Sequence, residues 1–242
     1  MGYRGRLQLI TMAMALPLAF ADAGWAFDLP RDTLQRLDLA TDSRVERLNR
    51  PSGLRSKQNN DTDSRQAEAN RLLNEGIEQY NRSDWRTALA TWQQALALYQ
   101  AIEDRAGEAK SLNNIGEVHR RLGEYSEALE NYKQSLVIKR EIGDRAGEAS
   151  TLNNIGIVHR ILGEYSEALE NYEQSLAIKR EIGGRATEAR TLNNIGIVHQ
   201  LLGEYSEALE NYEQSLAITQ EIGDRATEAS TLNNIGIVHR LL

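Results

Sequence analysis

The pentapeptide Leu-Asn-Asn-Ile-Gly occurs at Leu112–Gly116, Leu152–Gly156, Leu192–Gly196 and Leu232–Gly236, each 40 residues from the next. The string GEYSEALENY recurs in the same register from Gly123, Gly163 and Gly203. Residues 151–190 and 191–230 differ at six positions: 160, 161, 179, 180, 184 and 190. A more divergent copy precedes them, in which Gly76, Trp85, Ala88, Leu89, Trp92, Leu96, Asp104 and Arg105 hold the register. Self-similarity at a fixed period marks a solenoid, in which each unit buries its apolar face against its neighbours. The units are 71–110, 111–150, 151–190 and 191–230, with a fifth begun at 231 and cut at Leu242.

Each unit predicts two helices. Helix A opens near Asp144-Arg145, where Asp supplies a cap, and runs to about Leu162. Its Leu152, Ile155, Gly156 and His159 fall at i, i+3, i+4 and i+7, one helical face. Gly163-Glu164 makes the turn. Helix B runs from about Tyr165 to Ile182 with Tyr165, Ala168, Leu169, Tyr172 and Leu176 inward. Glu164, Glu167 and Glu170 at its start and Lys179-Arg180 near its end complement the helix dipole. Gly183 stops it.

The chain before the repeats has a different character. Arg4 and Arg6 precede a 14-residue run, Leu7 to Phe20. That is too short for a hydrocarbon core of ~30 Å, which takes about 20 helical residues. Small-x-small exits follow at Ala19–Ala21 and Ala21–Ala23. Residues 1–23 therefore read as a secretory signal peptide, cleaved after Ala21 or Ala23 with Ala26 as a third candidate. An uncleaved membrane anchor is the alternative. The expected location is exported, periplasmic or secreted, with no membrane span after cleavage. Residues 24–64, with Pro30, Pro51 and Asn59-Asn60-Asp61, read as a flexible polar linker.

Composition removes several functions. The chain has no Cys, which excludes disulfides and thiolate metal sites. Its 28 Lys+Arg against 35 Asp+Glu argue against nucleic acid as a partner. Ser, His and Asp are present, but in the repeats they recur as elements of the pattern, so no enzyme activity and no cofactor are expected. His119, His159, His199 and His239 fill an aromatic core slot. Stacked helices lie ~8–10 Å apart, whereas two nitrogens on one zinc lie within about 4 Å of each other. No metal site is expected there.

In each unit the slots Leu152, Ile155-Gly156, His159, Gly163, Tyr165, Ala168 and Tyr172 follow the tetratricopeptide pattern. The chain resembles a tetratricopeptide repeat protein of the longer-period kind, as in bacterial and kinesin-light-chain-like arrays. The resemblance covers 71–242. It departs from the pattern where Leu and His replace the two aromatics of helix A, and where Arg180 stands in place of the closing Pro. It implies an all-α fold, a right-handed α-solenoid of helix-turn-helix repeats.

The Asn residues of helix A are the candidate site. Asn is about 0.6 kcal/mol worse than Ala inside a helix. Asn74, Asn113, Asn114, Asn153, Asn154, Asn193, Asn194, Asn233 and Asn234 together cost on the order of 5 kcal/mol. They lie on the side of helix A away from helix B. The resemblance implies that this side lines a concave groove, where Asn grips the backbone of a bound peptide. An amide offers donor and acceptor, so it pairs with a peptide unit of any sequence. The competing reading is structural: these Asn bond between adjacent helices, or duplication copied them passively.

The same spacing adds Ile157, Ile197 and Ile237 as an apolar stripe. Six cations (Lys110, Arg120, Arg121, Arg160, Arg190 and Arg240) stand against Glu117 alone. The expected partner is a protein or peptide segment, extended, with apolar and acidic side chains. A Lys- and Arg-based clamp for a C-terminal carboxylate, used by chaperone-binding members of the resembled family, is not expected. Two rivals remain. Arrays like this precede a caspase-like protease domain in some bacterial proteins they resemble, so the solenoid is alternatively the recognition arm of a longer protein. Or it self-associates by repeat stacking through the uncapped fifth unit.

Overall fold

The computed structural model describes residues 52–242, and among these it holds nine helices and no strand. They are α1 Ser52–Asn81, α2 Trp85–Ala101, α3 Arg105–Leu122, α4 Tyr125–Glu141, α5 Arg145–Leu162, α6 Tyr165–Glu181, α7 Arg185–Leu202, α8 Tyr205–Ile222 and α9 Arg225–Leu241. Odd-numbered helices are the A helices of the repeats and even-numbered ones the B helices. The signal-peptide reading and most of the linker lie outside the described residues. Where that segment is described it is helical: residues 52–64 are the first turns of α1. Pro51 precedes the helix in sequence, and Gly53 is the one Gly or Pro of residues 52–64. Extending a nucleated helix adds one hydrogen bond per residue fixed. An Asp61–Arg65 ion pair at 2.8 Å supports the exposed turn.

Local signals set the helix ends. Asp104, Asp144 and Asp224 accept the backbone N–H of Gly107, Gly147 and Thr227 at 2.9, 2.9 and 3.1 Å, capping α3, α5 and α9. Gly184 holds that position before α7 and has no side chain to do so. Each A helix from α3 to α7 closes on a left-handed glycine, Gly123, Gly163 or Gly203, with φ near 80°.

The A and B helices of a repeat meet through glycine. A Cβ on Gly116, Gly156 or Gly196 would lie 2.8, 2.7 or 2.6 Å from the ring of Tyr132, Tyr172 or Tyr212. Only hydrogen leaves room for these buried tyrosines. Leu152, Ile155 and Val158 of α5 join Ala128, Tyr132 and Leu136 of α4 in a single cluster, and the same packing recurs one repeat later. The core is thus a series of clusters repeated along the stack.

The two layers are not equivalent. The A helices α3, α5, α7 and α9 each lie against the next, whereas among the described residues no B helix approaches the next B helix as closely. A stack that is tighter on one side curves toward it, which places the A helices on the inner face. At α9, Leu232 is 48% exposed while its equivalent Leu192 is buried. Ile235 packs, partly buried, against the cluster of Ala208, Tyr212 and Val238.

Candidate functional site

The inner face carries the predicted Asn residues, and the two members of each pair differ. The first Asn faces the neighbouring helix. Thr151 donates to Asn113 Oδ1 at 3.1 Å, Thr191 to Asn153 Oδ1 at 3.4 Å and Thr231 to Asn193 Oδ1 at 3.3 Å. Asn194 Nδ2 donates to Asn153 Oδ1 at 3.1 Å, and Asn234 Nδ2 to Asn193 Oδ1 at 3.0 Å. These bonds join one A helix to the next, and Asn193 is buried by them. Interhelix bonding, the structural reading, thus accounts for Asn113, Asn153, Asn193, Asn194 and Asn234. The second Asn of the earlier repeats differs. Asn114 and Asn154 are half-buried and make no side-chain hydrogen bond among the described residues; Asn74 and Asn233 are exposed.

Glu117 changes the expected basic end. Its carboxylate accepts from Arg120 Nε at 2.8 Å, Tyr80 Oη at 2.7 Å, Tyr132 Oη at 2.9 Å and Arg121 Nε at 3.2 Å. Burial pushes the Glu117 carboxyl up, but the bonds from Arg120 and Tyr80 outweigh it and hold the group below the ordinary glutamate value. Arg121 also lies over the Tyr80 ring, 5.9 Å from its centre. Arg120 and Arg121 are therefore engaged within the chain rather than offered to a ligand. One repeat on, Ile157 replaces Glu117, and the donors stay while the acceptor goes. Arg160 Nε and Tyr172 Oη are buried without a hydrogen-bond partner. In the next repeat Gln200 takes the Arg160 position beside Ile197 and accepts from Tyr212 Oη at 2.9 Å. Arg160 is thus a cation of this row with no carboxylate partner among the described residues.

A cavity of about 190 Å³ opens between α5 and α7, lined by Ser150, Asn153, Asn154, Lys179, Thr187 and Arg190. Lys179, from α6, is 5% exposed and donates to Thr191 Oγ1 at 2.6 Å. Burial, with Arg190 adding to it, pulls its ammonium down to about 8. Lys139 repeats the arrangement on Thr151 at 2.7 Å. Sequence reasoning gave Lys179 only the role of a charge complementing the dipole of its helix. The signal that it is buried was available: Tyr172, Leu176 and Lys179 stand at i, i+4 and i+7, on the buried stripe. A second cavity of about 260 Å³ lies beside α6, α7 and α8, lined by Glu173, Glu207 and Glu210 among others.

Other polar groups have structural work. Glu148, buried, accepts from Arg140 at 2.8 Å and Arg145 at 2.6 Å, and Arg145 also reaches Glu181 at 2.6 Å. This network clips α4, α5 and α6 together and recurs at Glu188. The histidines are less central than expected. His119, His159 and His199 each bond through Nδ1 to Glu124, Glu164 or Glu204 at 2.6, 2.6 and 2.7 Å, bridging the A-to-B turn. Among the described residues no group of three or more His, Asp or Glu is placed to hold a metal ion.

A family model described as tetratricopeptide repeat matches residues 79–141, 112–181 and 187–242. No curated protein matches the chain. Among solved structures it is similar to BtubC (BKLC) from P. vanneervenii, with 21% identity over 74% of this chain and 83% of that one, at a TM-score of 0.62. Aspartyl phosphate phosphatase F from Bacillus subtilis superposes with a TM-score of 0.70 at 16% identity; the match covers 72% of this chain and 46% of that one. A Podosopora anserina kinesin light chain with nearly identical TPR-like repeats gives 0.61 at 15% identity, over 72% and 87%. At these identities the likeness concerns the fold.

Proposed function

Because the chain belongs to the tetratricopeptide repeat family, we propose that it is a protein–protein interaction scaffold without chemistry of its own. An extended peptide segment lies across the inner face formed by α3, α5 and α7. The observation that carries this is the pair Asn114 and Asn154, free amides one repeat apart on the face where the A helices meet. Amides at that spacing suit a backbone crossing the helices, since each can donate to and accept from a peptide unit. Ile157 and Ile197 supply the apolar contact. Arg160, with no carboxylate of its own, favours acidic character in the partner. Export after cleavage of residues 1–23 belongs to the same proposal.

The test is a displayed random-peptide library screened against the chain and against the double variant Asn114→Ala, Asn154→Ala. The expected result is an extended acidic and apolar motif that the variant loses while keeping its helical circular dichroism. Equal enrichment by both proteins contradicts the groove.

A further inference from the structure

We infer that the cavity between α5 and α7 is an anion-binding subsite that receives an acidic or phosphorylated side chain of the bound segment. This rests on the peptide-groove reading and gives it a fixed point. Three features of the cavity point to an anion.

First, it gathers several unused donors, beside acceptor oxygens on Asn154, Ser150 and Thr187. Lys179 Nζ has three N–H bonds, of which Thr191 takes one. Asn153 Oδ1 is occupied by Asn194, which leaves its Nδ2 hydrogens uncommitted. Asn154 makes no side-chain bond among the described residues, and Arg190 donates only to Ala186 O of its own helix, at 3.3 Å. The hydroxyls of Ser150 and Thr187 already donate to Ala146 O and Gly184 O.

Second, no carboxylate lines the cavity, although two cations do. The repeat shows how unusual this is. One unit earlier, Asp144 caps the helix and its charge supports the buried Lys139. At the equivalent position Gly184 replaces it. The substitution removes the one acid that the repeat pattern places near this lysine. Arg190, in turn, stands where the previous unit has Ser150 and the next has Ser230. Position 179 itself is Thr219 in the next unit. Lysine, the missing aspartate and the arginine occur together in one repeat of an otherwise near-identical pair.

Third, the space is sufficient. About 190 Å³ is several times the ~30 Å³ share of one water, so a carboxylate or phosphate group enters without displacing side chains. A buried ammonium with two unused donors is unfavourable until an anion meets it, and charge-assisted bonds are the strong ones.

The experiment uses the isotope-labelled chain and three acetylated, amidated decapeptides of one Ala/Gln sequence, with a central Glu, phosphoserine or Gln. Binding is followed by NMR at the side-chain amides of Asn153 and Asn154. The Glu and phosphoserine peptides should shift both amides and bind at least about tenfold tighter than the Gln peptide, the effect of one charge-assisted bond. The tighter of the two identifies the group as carboxylate or phosphate. Lys179→Met should remove the preference, and Lys139→Met should leave it. Equal binding of the Glu, phosphoserine and Gln peptides overturns the subsite while the groove stands. Shifts by sodium acetate or inorganic phosphate at matched ionic strength, without any peptide bound, support the subsite and refute the groove. Retention of the preference in Lys179→Met contradicts the assignment outright.

Discussion

Replacing Lys179 by Met should make the protein more stable at neutral pH. Burial holds the Lys179 ammonium at about 8, against 10.5 for an ordinary lysine. Each pKa unit corresponds to about 1.4 kcal/mol, so keeping the charge buried costs the native state up to about 3 kcal/mol. Met has a similar length and no charge, and Thr191 keeps its bond to Thr187 O at 3.0 Å. A net gain of about 1–3 kcal/mol is expected. The sign follows from linkage. The native pKa lies below the unfolded one, so below pH 8 both states carry the charge and the native state bears the whole penalty. Between pH 8 and 10.5 the native lysine gives up its proton first, and the wild type gains stability. Urea denaturation of both proteins at pH 7 and pH 10 reads this directly: Lys179→Met should exceed wild type at pH 7, with the gap narrowing at pH 10. A variant less stable at pH 7, or a gap that does not change with pH, would refute the argument. Support would mean that the repeat keeps a destabilising residue at this cavity, as binding sites often do.

Other perturbations test the packing. Gly156→Ala pushes a Cβ into the Tyr172 ring and should cost about 1–3 kcal/mol. Gly236→Ala, at the same place in the repeat, meets nothing within 4 Å and should stabilise by about 0.5–1 kcal/mol through helix propensity, both read by thermal melting. Leu192→Ala should cost about 2–5 kcal/mol, since Leu192 is buried. The equivalent Leu232→Ala, at an exposed site, should stay within about 0.5 kcal/mol. Glu117→Gln removes the acceptor shared by Tyr80, Tyr132 and Arg120 and should destabilise by about 1–3 kcal/mol at pH 7. Because the Glu117 carboxyl sits below the usual 4.5, its contribution is full above that pH. The gap between variant and wild type should close in acid titrations as the pH falls through the depressed value.

The helices were legible because their determinants are local. Asp144, Gly163 and Tyr165 mark ends that the structure places at Arg145, Leu162 and Tyr165. The Gly156–Tyr172 contact was legible as a close approach, since glycine and a large ring occupy fixed slots of a known repeat. The Asn pairs were only half legible. The repeat pattern places nine amides in the A helices, but it does not say which of them bonds to the next helix: the same slot is bonded at Asn194 and Asn234 and free of side-chain bonds at Asn154 among the described residues. Residue types likewise gave no sign that Glu117 neutralises Arg120 and Arg121, because it pairs with them three and four positions along its own helix while two tyrosines from other helices close the group. Lys179 was read only through dipole complementarity, whereas its i+7 spacing from Tyr172 puts it on the buried stripe. The linker failed at residues 52–64 because polar composition says little about a helix that grows out of a folded repeat.

The central claim is that a partner segment crosses the inner face of the A helices. A peptide selected from the library, carrying a photo-crosslinking side chain at its centre, tests this on the intact chain. The account predicts adducts on α3, α5 and α7 near Asn114, Asn154 and Ile157, which Asn154→Ala weakens. Adducts confined to the B helices α4, α6 and α8, for example beside Glu173 and Glu207 in the outer cavity, would contradict it.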